Sequence, residues 1–194
     1  MATLKLDLLV QQGATFVKAF NWYGGGKVCY EIESITPGCE TTIEVTGHGL
    51  PVGADTPIYI DGVEGMKDLN TKGKEILATY VDANTFTVFV NTIGKQYTSG
   101  TGAIMYFAPK NLSGYTARMQ IRESIDDATE IVALVSPTDI VIDTISAQIT
   151  VTIAAAVTED FVFDEAVYDL ELVNGPLVTR LVEGKITLSN EVTR

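Results

Sequence analysis

Residues 115–122 read YTARMQIR, and the alternation in that stretch decides the fold class. Ala117, Met119 and Ile121 fall on one side of an extended chain, and Arg118, Gln120 and Arg122 fall on the other. A period of two is the pattern of a strand with one dry and one wet face. The same texture continues downstream. TEIVALVS (Thr129–Ser136), ISAQITVTI (Ile145–Ile153), AVYDLELV (Ala166–Val173) and LVTRLVEGKITLS (Leu177–Ser189) read as strands, with Asn174-Gly175-Pro176 as the turn between the last two. Only about Ala154 to Asp164 tolerates helix, for at most one short turn. Upstream, LKLDLLV (Leu4–Val10) alternates as a strand, Gln11-Gln12-Gly13 turns the chain, and Phe16–Phe20 forms a second short strand.

From about Val28 to Ala108 the strands shorten and turn residues multiply. ETTIEV (Glu40–Val45), PIYI (Pro57–Ile60), EILATYV (Glu75–Val81), FTVFV (Phe86–Val90) and AIMYFA (Ala103–Ala108) are separated by Pro51, Gly53, Asp61-Gly62, Gly65, Asp82–Asn84, Gly100 and Gly102. Closely spaced strands with turn chemistry between them argue for a small barrel or sandwich. Asp61-Gly62 reads as a tight hairpin tip, since glycine accepts a positive φ without a steric penalty. This stretch is bounded by Gly24–Lys27 and Pro109–Gly114, and lies inside a longer β-rich chain. The expected fold is therefore all-β: a β-sandwich formed by residues 1–32 and 108–194, split by an inserted small β-barrel at 33–107. Insertions are tolerated where the two ends of the inserted domain lie close together at a loop tip.

Composition agrees with a folded β protein and narrows its partners. Hydrophobic residues make up 46% of the 194, enough for a core, and they are rich in the types that suit a pleated surface. Twenty-five acidic residues against 13 basic ones give a net charge of −12, and there is no Lys/Arg cluster. That average field repels polyanions, so no nucleic-acid partner is expected. The most apolar stretch, Ile145–Val157, is interrupted by Ser146, Gln148, Thr150 and Thr152 and is too short to span a bilayer. MATLKLDLLVQQGATF at the start lacks the pattern of a signal peptide. The expectation is a protein made in the cytoplasm with no membrane association.

Reactive groups are few. His48, the single histidine, sits between two glycines in TGHGLP with no second donor at a metal-ligand spacing. It reads as a turn residue, and His48→Ala is expected to remove one local hydrogen bond, worth about 1 kcal/mol. Cys29 and Cys39 flank Pro37-Gly38 at a spacing that matches no metal motif and does not establish a bridge; reduced, half-buried thiols are the preferred reading. Glu159-Asp160, Asp164-Glu165 and the group Glu123, Asp126, Asp127 and Glu130 are neighbours in sequence, in segments that read as loops and strand ends. Solvated surface fits them better than paired catalytic carboxylates. YGGGK lacks the spacing of a phosphate loop. No catalytic, cofactor-binding or metal-binding residue is expected, no cofactor, and no enzymatic activity.

Two resemblances add to this. QQGATF near the start, NLSGYTARMQIR (Asn111–Arg122), AVYDLELV (Ala166–Val173) and VTRLVEGKITLSNEVTR (Val178–Arg194) together resemble the N-terminal β-sandwich of phage baseplate and tail proteins of the upper-baseplate-protein type. That likeness covers roughly Met1–Tyr23 and Lys110–Arg194. TTIEVTGHGLPVGADTPIYIDGVEGMKDLNTKGKEILATYVDANTFTVFV is similar to the β-barrel module named after the first catalytic-cysteine half-domain of ubiquitin-activating enzymes, which recurs in phage tail proteins. Its marks are His48-Gly49-Leu50, Gly53, Gly62, Gly65-Met66, Leu69-Asn70 and Asp82–Phe86, and the matching stretch carries no catalytic cysteine.

The resemblance implies a structural component of a tailed-phage virion, in tail, baseplate or neck, assembled in the host cytoplasm. It implies other phage structural proteins as partners and a homo-oligomer of three-fold or six-fold symmetry. GMKDLN is then a loop that docks Met66 and Leu69 into a small core. Val178–Ser189 is expected to offer an open strand edge to a neighbour. The alternative is a receptor- or glycan-binding module of a tail fibre, with Trp22-Tyr23 as its stacking platform.

Overall fold

Strands form wherever the alternating pattern gives the chain one face to bury. The computed structural model describes residues 3–191. β1 (Leu4–Lys5), β2 (Leu8–Gln11) and β3 (Phe16–Asn21) precede β4 (Lys27–Glu31), β5 (Ser34–Thr36), β6 (Thr41–Glu44), β7 (Asp55–Asp61), β8 (Ile76–Tyr80), β9 (Thr85–Val88) and β10 (Ala103–Phe107). β11 (Thr116–Arg122), β12 (Val132–Val135), β13 (Ile140–Asp143) and β14 (Gln148–Ile153) follow. After the single-turn helix α1 (Ala155–Thr158) come β15 (Glu165–Asn174) and β16 (Leu177–Ser189). The fold is all-β. Val192, Thr193 and Arg194, the end of the VTRLVEGKITLSNEVTR segment, lie outside the described residues.

Two compact units partition the chain: Met1–Asn21, Leu112–Thr144 and Gln148–Arg194 form one, Trp22–Asn111 with Ile145–Ala147 the other. The first is a sandwich. Its larger sheet runs β1-β16-β15-β11-β12, with β2 also on β16, and its smaller one runs β13-β14-β3. Ala117, Met119 and Ile121 are buried, as the period of two requires, with Ala166, Tyr168, Leu170 and Leu172 beside them on β15. From the smaller sheet come Phe20, Ile140, Ile149, Val151 and Ile153. Asn174 pairs with Leu177 across Gly175-Pro176, and Gly175 takes the positive φ (56°) that this two-residue loop demands.

The expected strand Leu4–Val10 is in fact two pieces, both parallel to β16. Between them Leu6 N–H donates to Glu183 O at 3.0 Å, while Lys185 N–H donates to the side chain of Asp7 (Oδ1, 3.0 Å). A side-chain carboxylate therefore takes the place of a main-chain acceptor and interrupts the strand. Of the open edge expected at Val178–Ser189, only Val178–Leu181 lacks a second partner strand. β1 and β2 cover Val182–Glu183 and Ile186–Ser189, and β15 occupies the other side.

The second unit is one seven-stranded sheet, β4-β10-β7-β8-β9-β6-β5, curled into a half-barrel. Its two end strands are consecutive parts of one segment. Ile32 N–H still bonds Gly102 O on the β10 side, and Glu33 N–H already bonds Glu44 O on the β6 side. The expected barrel is thus drawn together by one stretch of chain that changes partner between adjacent residues. Ile43, Ile58, Ile60, Met66, Leu69, Phe86 and Ile104 are fully buried inside it. Asp61-Gly62 ends β7, with Gly62 at φ +75°, but it is no hairpin tip. The chain continues through the 3₁₀ turn Lys67–Leu69 before β8, and Asn70 holds this loop by bonding both N–H and C=O of Val63.

The units divide at Asn21/Trp22 and Asn111/Leu112 rather than at the expected 32/33 and 107/108. β4 moves the first boundary, because it pairs with β10 along its whole length from Lys27↔Phe107 to Glu31↔Ala103. Trp22 O accepts from Lys110 N–H at 2.8 Å, so the two ends of the insert meet. Replacing residues 22–111 by a short Gly/Ser linker is expected to leave a folded sandwich with β-type circular dichroism and cooperative melting. A linker replacing Glu33–Phe107 strands β4 without its partner and is expected to aggregate.

Candidate functional site

The residues singled out in the sequence do not assemble into one site. His48 is fully buried, and both ring nitrogens are used: Nε2–H donates to Asp82 O at 2.9 Å, and Nδ1 accepts from Leu50 N–H at 3.0 Å. Trp22 is 6% exposed and so offers no stacking platform, which removes the feature on which the glycan-binding alternative stood. Tyr23 beside it is half-buried, and burial pushes its phenol up, with Asp55 and Glu75 adding to the effect. Cys29 and Cys39 are free and exposed rather than half-buried. Glu123, Asp126, Asp127, Glu130, Glu159, Asp160, Asp164 and Glu165 all lie on the surface. Among the described residues no group of three His, Cys, Asp or Glu side chains is placed to hold a metal ion.

A concave site lies elsewhere, on the sandwich's larger sheet. Side chains that alternate out of its core come into cross-strand register: Arg118 with Glu171, Gln120 with Asp169, and Asp169 in turn with Glu183. A bulge leaves Leu181 without an opposite residue, because Leu170 pairs with Val182 while Glu171 pairs with Arg180. That extra residue turns Arg180 onto the same face as Glu183. Its guanidinium reaches Asp169 at 3.0 Å, Glu183 at 3.2 Å and Glu171 at 3.6 Å. Arg118 donates through Nε and Nη2 to one oxygen of Glu171, at 2.9 and 2.7 Å. Arg122 Nη2 donates to Gln120 Oε1 at 3.1 Å, and Gln120 Nε2 to Glu130 at 3.1 Å.

Beside this lattice is a cavity of about 560 Å³, bounded by Lys5 and Asp7 at the β1–β2 break, by Arg122 and Val167, and by Lys185 and the exposed Ile125. Asp169 lines it and is raised above the ordinary aspartate range, by burial first, while Arg180 works in the opposite direction. A carboxyl raised on folding takes up a proton between its unfolded and folded values. Its contribution to stability therefore declines as pH rises through that window. A carbon-detected NMR titration is expected to place the Asp169 carboxyl above the ordinary aspartate range; a midpoint at the ordinary value would contradict the burial.

The sequence hid this site because its parts come from four distant segments. The available signal was the wet face of YTARMQIR, whose Arg118, Gln120 and Arg122 supply one wall. Chemically, the site holds carboxylates paired with guanidinium and ammonium groups, and among the described residues no three donors are placed to hold a metal. Comparison with known proteins finds no family model that matches the chain and no curated protein that matches it.

Proposed function

We propose that this chain is a structural, non-enzymatic component of a tailed-phage virion, an assembly or adaptor module of tail, baseplate or neck. The observation that carries the reading is where the resembling segments fall. NLSGYTARMQIR contains β11, AVYDLELV lies within β15 and VTRLVEGKITLS lies within β16, and these three strands are neighbours in one sheet. QQGATF is the turn between β2 and β3, tied down by Gln12 donating to Phe161 O at 2.9 Å. Segments scattered over the sequence thus form one contiguous structural block, as inheritance of a whole domain would leave them.

The module's partners are other phage structural proteins, and it works as a homo-oligomer of three-fold or six-fold symmetry in the particle. Docking runs through side chains more than strand addition, because the exposed edges are blunted. β12 has its Val135 N–H capped by Asp139, and β3 carries a half-buried lysine, Lys18, on its inward side. An antibody against the purified protein is expected to decorate tails of particles from the phage that encodes it, and mass spectrometry of those particles to contain the chain in several copies. Particles free of the chain overturn the reading.

A further inference from the structure

We propose that the concavity on the outer face of the sandwich's larger sheet is a binding site for a neutral oligosaccharide. This goes beyond the structural role, which stands or falls independently of it. At about 560 Å³ the cavity falls in the range of small-ligand sites. Its charges decide what enters. Lys5, Arg122, Arg180 and Lys185 face Asp7, Asp169 and Glu183 within the lining, and Glu171, Glu165 and Glu130 stand beside them as partners. Each cation has a counter-charge already in place. The surplus is negative, so nothing repays the desolvation of a phosphate or a sulfate, and among the described residues no three carboxylates are placed together to hold a divalent ion.

A neutral polyhydroxyl ligand meets a different balance. Each hydroxyl both donates and accepts, so it can bridge a carboxylate and a guanidinium without breaking the pair. The planar groups on the wall are pre-oriented by their mutual bonds: Arg180 across Asp169 and Glu183, Gln120 between Arg122 and Glu130. Pre-orientation lowers the entropy lost on binding. Lys5 is the adjustable member. Its side chain is 84% exposed and its ion pair with Glu183 is long, 3.9 Å, so it can swing onto a ligand at little cost. Val167 and Ile125, the latter 82% exposed, give the C–H face of a sugar ring an apolar surface to cover.

The test is an array of bacterial cell-wall and capsule oligosaccharides probed with the full chain, followed by calorimetry on any binder. Specific retention of neutral oligosaccharides is expected. Asp169→Asn and Gln120→Ala are each expected to weaken binding at least about tenfold, while Lys74→Ala in the other unit leaves it unchanged. Gln120→Ala removes no charge, and thermal melts of both variants show that they remain folded. Raising the salt to 0.5 M is expected to change affinity by less than about two-fold, since no net charge is neutralised. An array without retained oligosaccharides overturns the proposal. So does binding that both variants keep at full strength, or binding that collapses with salt.

Discussion

His48→Ala is expected to destabilise the half-barrel by about 3–5 kcal/mol, several times the loss of about 1 kcal/mol that a turn residue would give. Two losses combine, and the held loop keeps the site from relaxing to repair them. Leu50 N–H and Asp82 O are left without the imidazole at 3.0 and 2.9 Å, and Leu50 is itself buried. The ring also packs edge-on against Phe86 and Tyr80, with centroids 5.5 and 5.8 Å apart, so truncation opens a hole beside Phe86, which is fully buried. The loop that carries His48 is gripped from several sides. Tyr106 OH donates to His48 O at 2.5 Å, and burial pushes that phenol up to about 12, so it remains a donor across the physiological range. Asn84 Oδ1 takes Gly47 N–H. Urea denaturation of the full chain measures the effect, followed by a probe in the second unit because two units need not melt together. A loss near 1 kcal/mol would mean that the imidazole contributes no more than a local turn bond.

The acid limb of the same region has the opposite sign to Asp169. Asp82 is held below the ordinary aspartate range, chiefly by the N–H of Asn84. Its contribution is present above the unfolded value and is lost as pH falls through the lowered folded one.

What was legible in the sequence is what one face of a strand reveals by itself. YTARMQIR announces its buried residues, and Asn174-Gly175-Pro176 announces its turn, because both depend on neighbours within a few positions. β4 and β5 escaped notice since KVCYE follows three glycines and SIT spans only three residues; each is a strand because β10 or β6 lies beside it. β13 escaped for a similar reason, being only four residues long, with Asp139 directly before it and Asp143 as its last residue. The burial of His48 is set by Phe86 and Tyr80, more than thirty residues away, and TGHGLP alone carries no trace of them. Likewise the parallel return of β1 and β2 onto β16 joins the two ends of the described chain. A pattern of alternation gives a strand its faces but not its partners, which is why an edge was expected where β1 and β2 lie.

Gly184→Ala is expected to cost about 3 kcal/mol and to release the N-terminal strands from β16. Gly184 does not occupy the left-handed region, so its backbone would accept alanine; the obstacle is space. A Cβ there would lie 2.0 Å from Leu6 O, 2.7 Å from Leu6 C and 3.1 Å from Asp7 Oδ1, and two of these atoms are main chain that cannot swing aside. Moving Leu6 away breaks its carbonyl's bond from Tyr168 OH (2.8 Å), its own N–H bond to Glu183 O (3.0 Å) and, through Asp7, the bond from Lys185 N–H (3.0 Å). The burial that raises the Tyr168 phenol shows how little water reaches this contact. Hydrogen exchange is the decisive measurement. In the variant, Leu6, Lys185 and the amides linking β2 to Ile186–Ser189 are expected to lose protection, while those between β11 and β15 keep it. Gly73→Ala is the control, with open space around it and φ +80°, so it carries backbone strain of about 1 kcal/mol and no clash. If the two variants lose equal stability, the close approach of Leu6 to β16 is not what requires glycine at 184. If Gly184→Ala loses stability while Leu6 and Lys185 stay protected, the strand break at Asp7 yields without detaching, and β1 and β2 are held by their side chains instead.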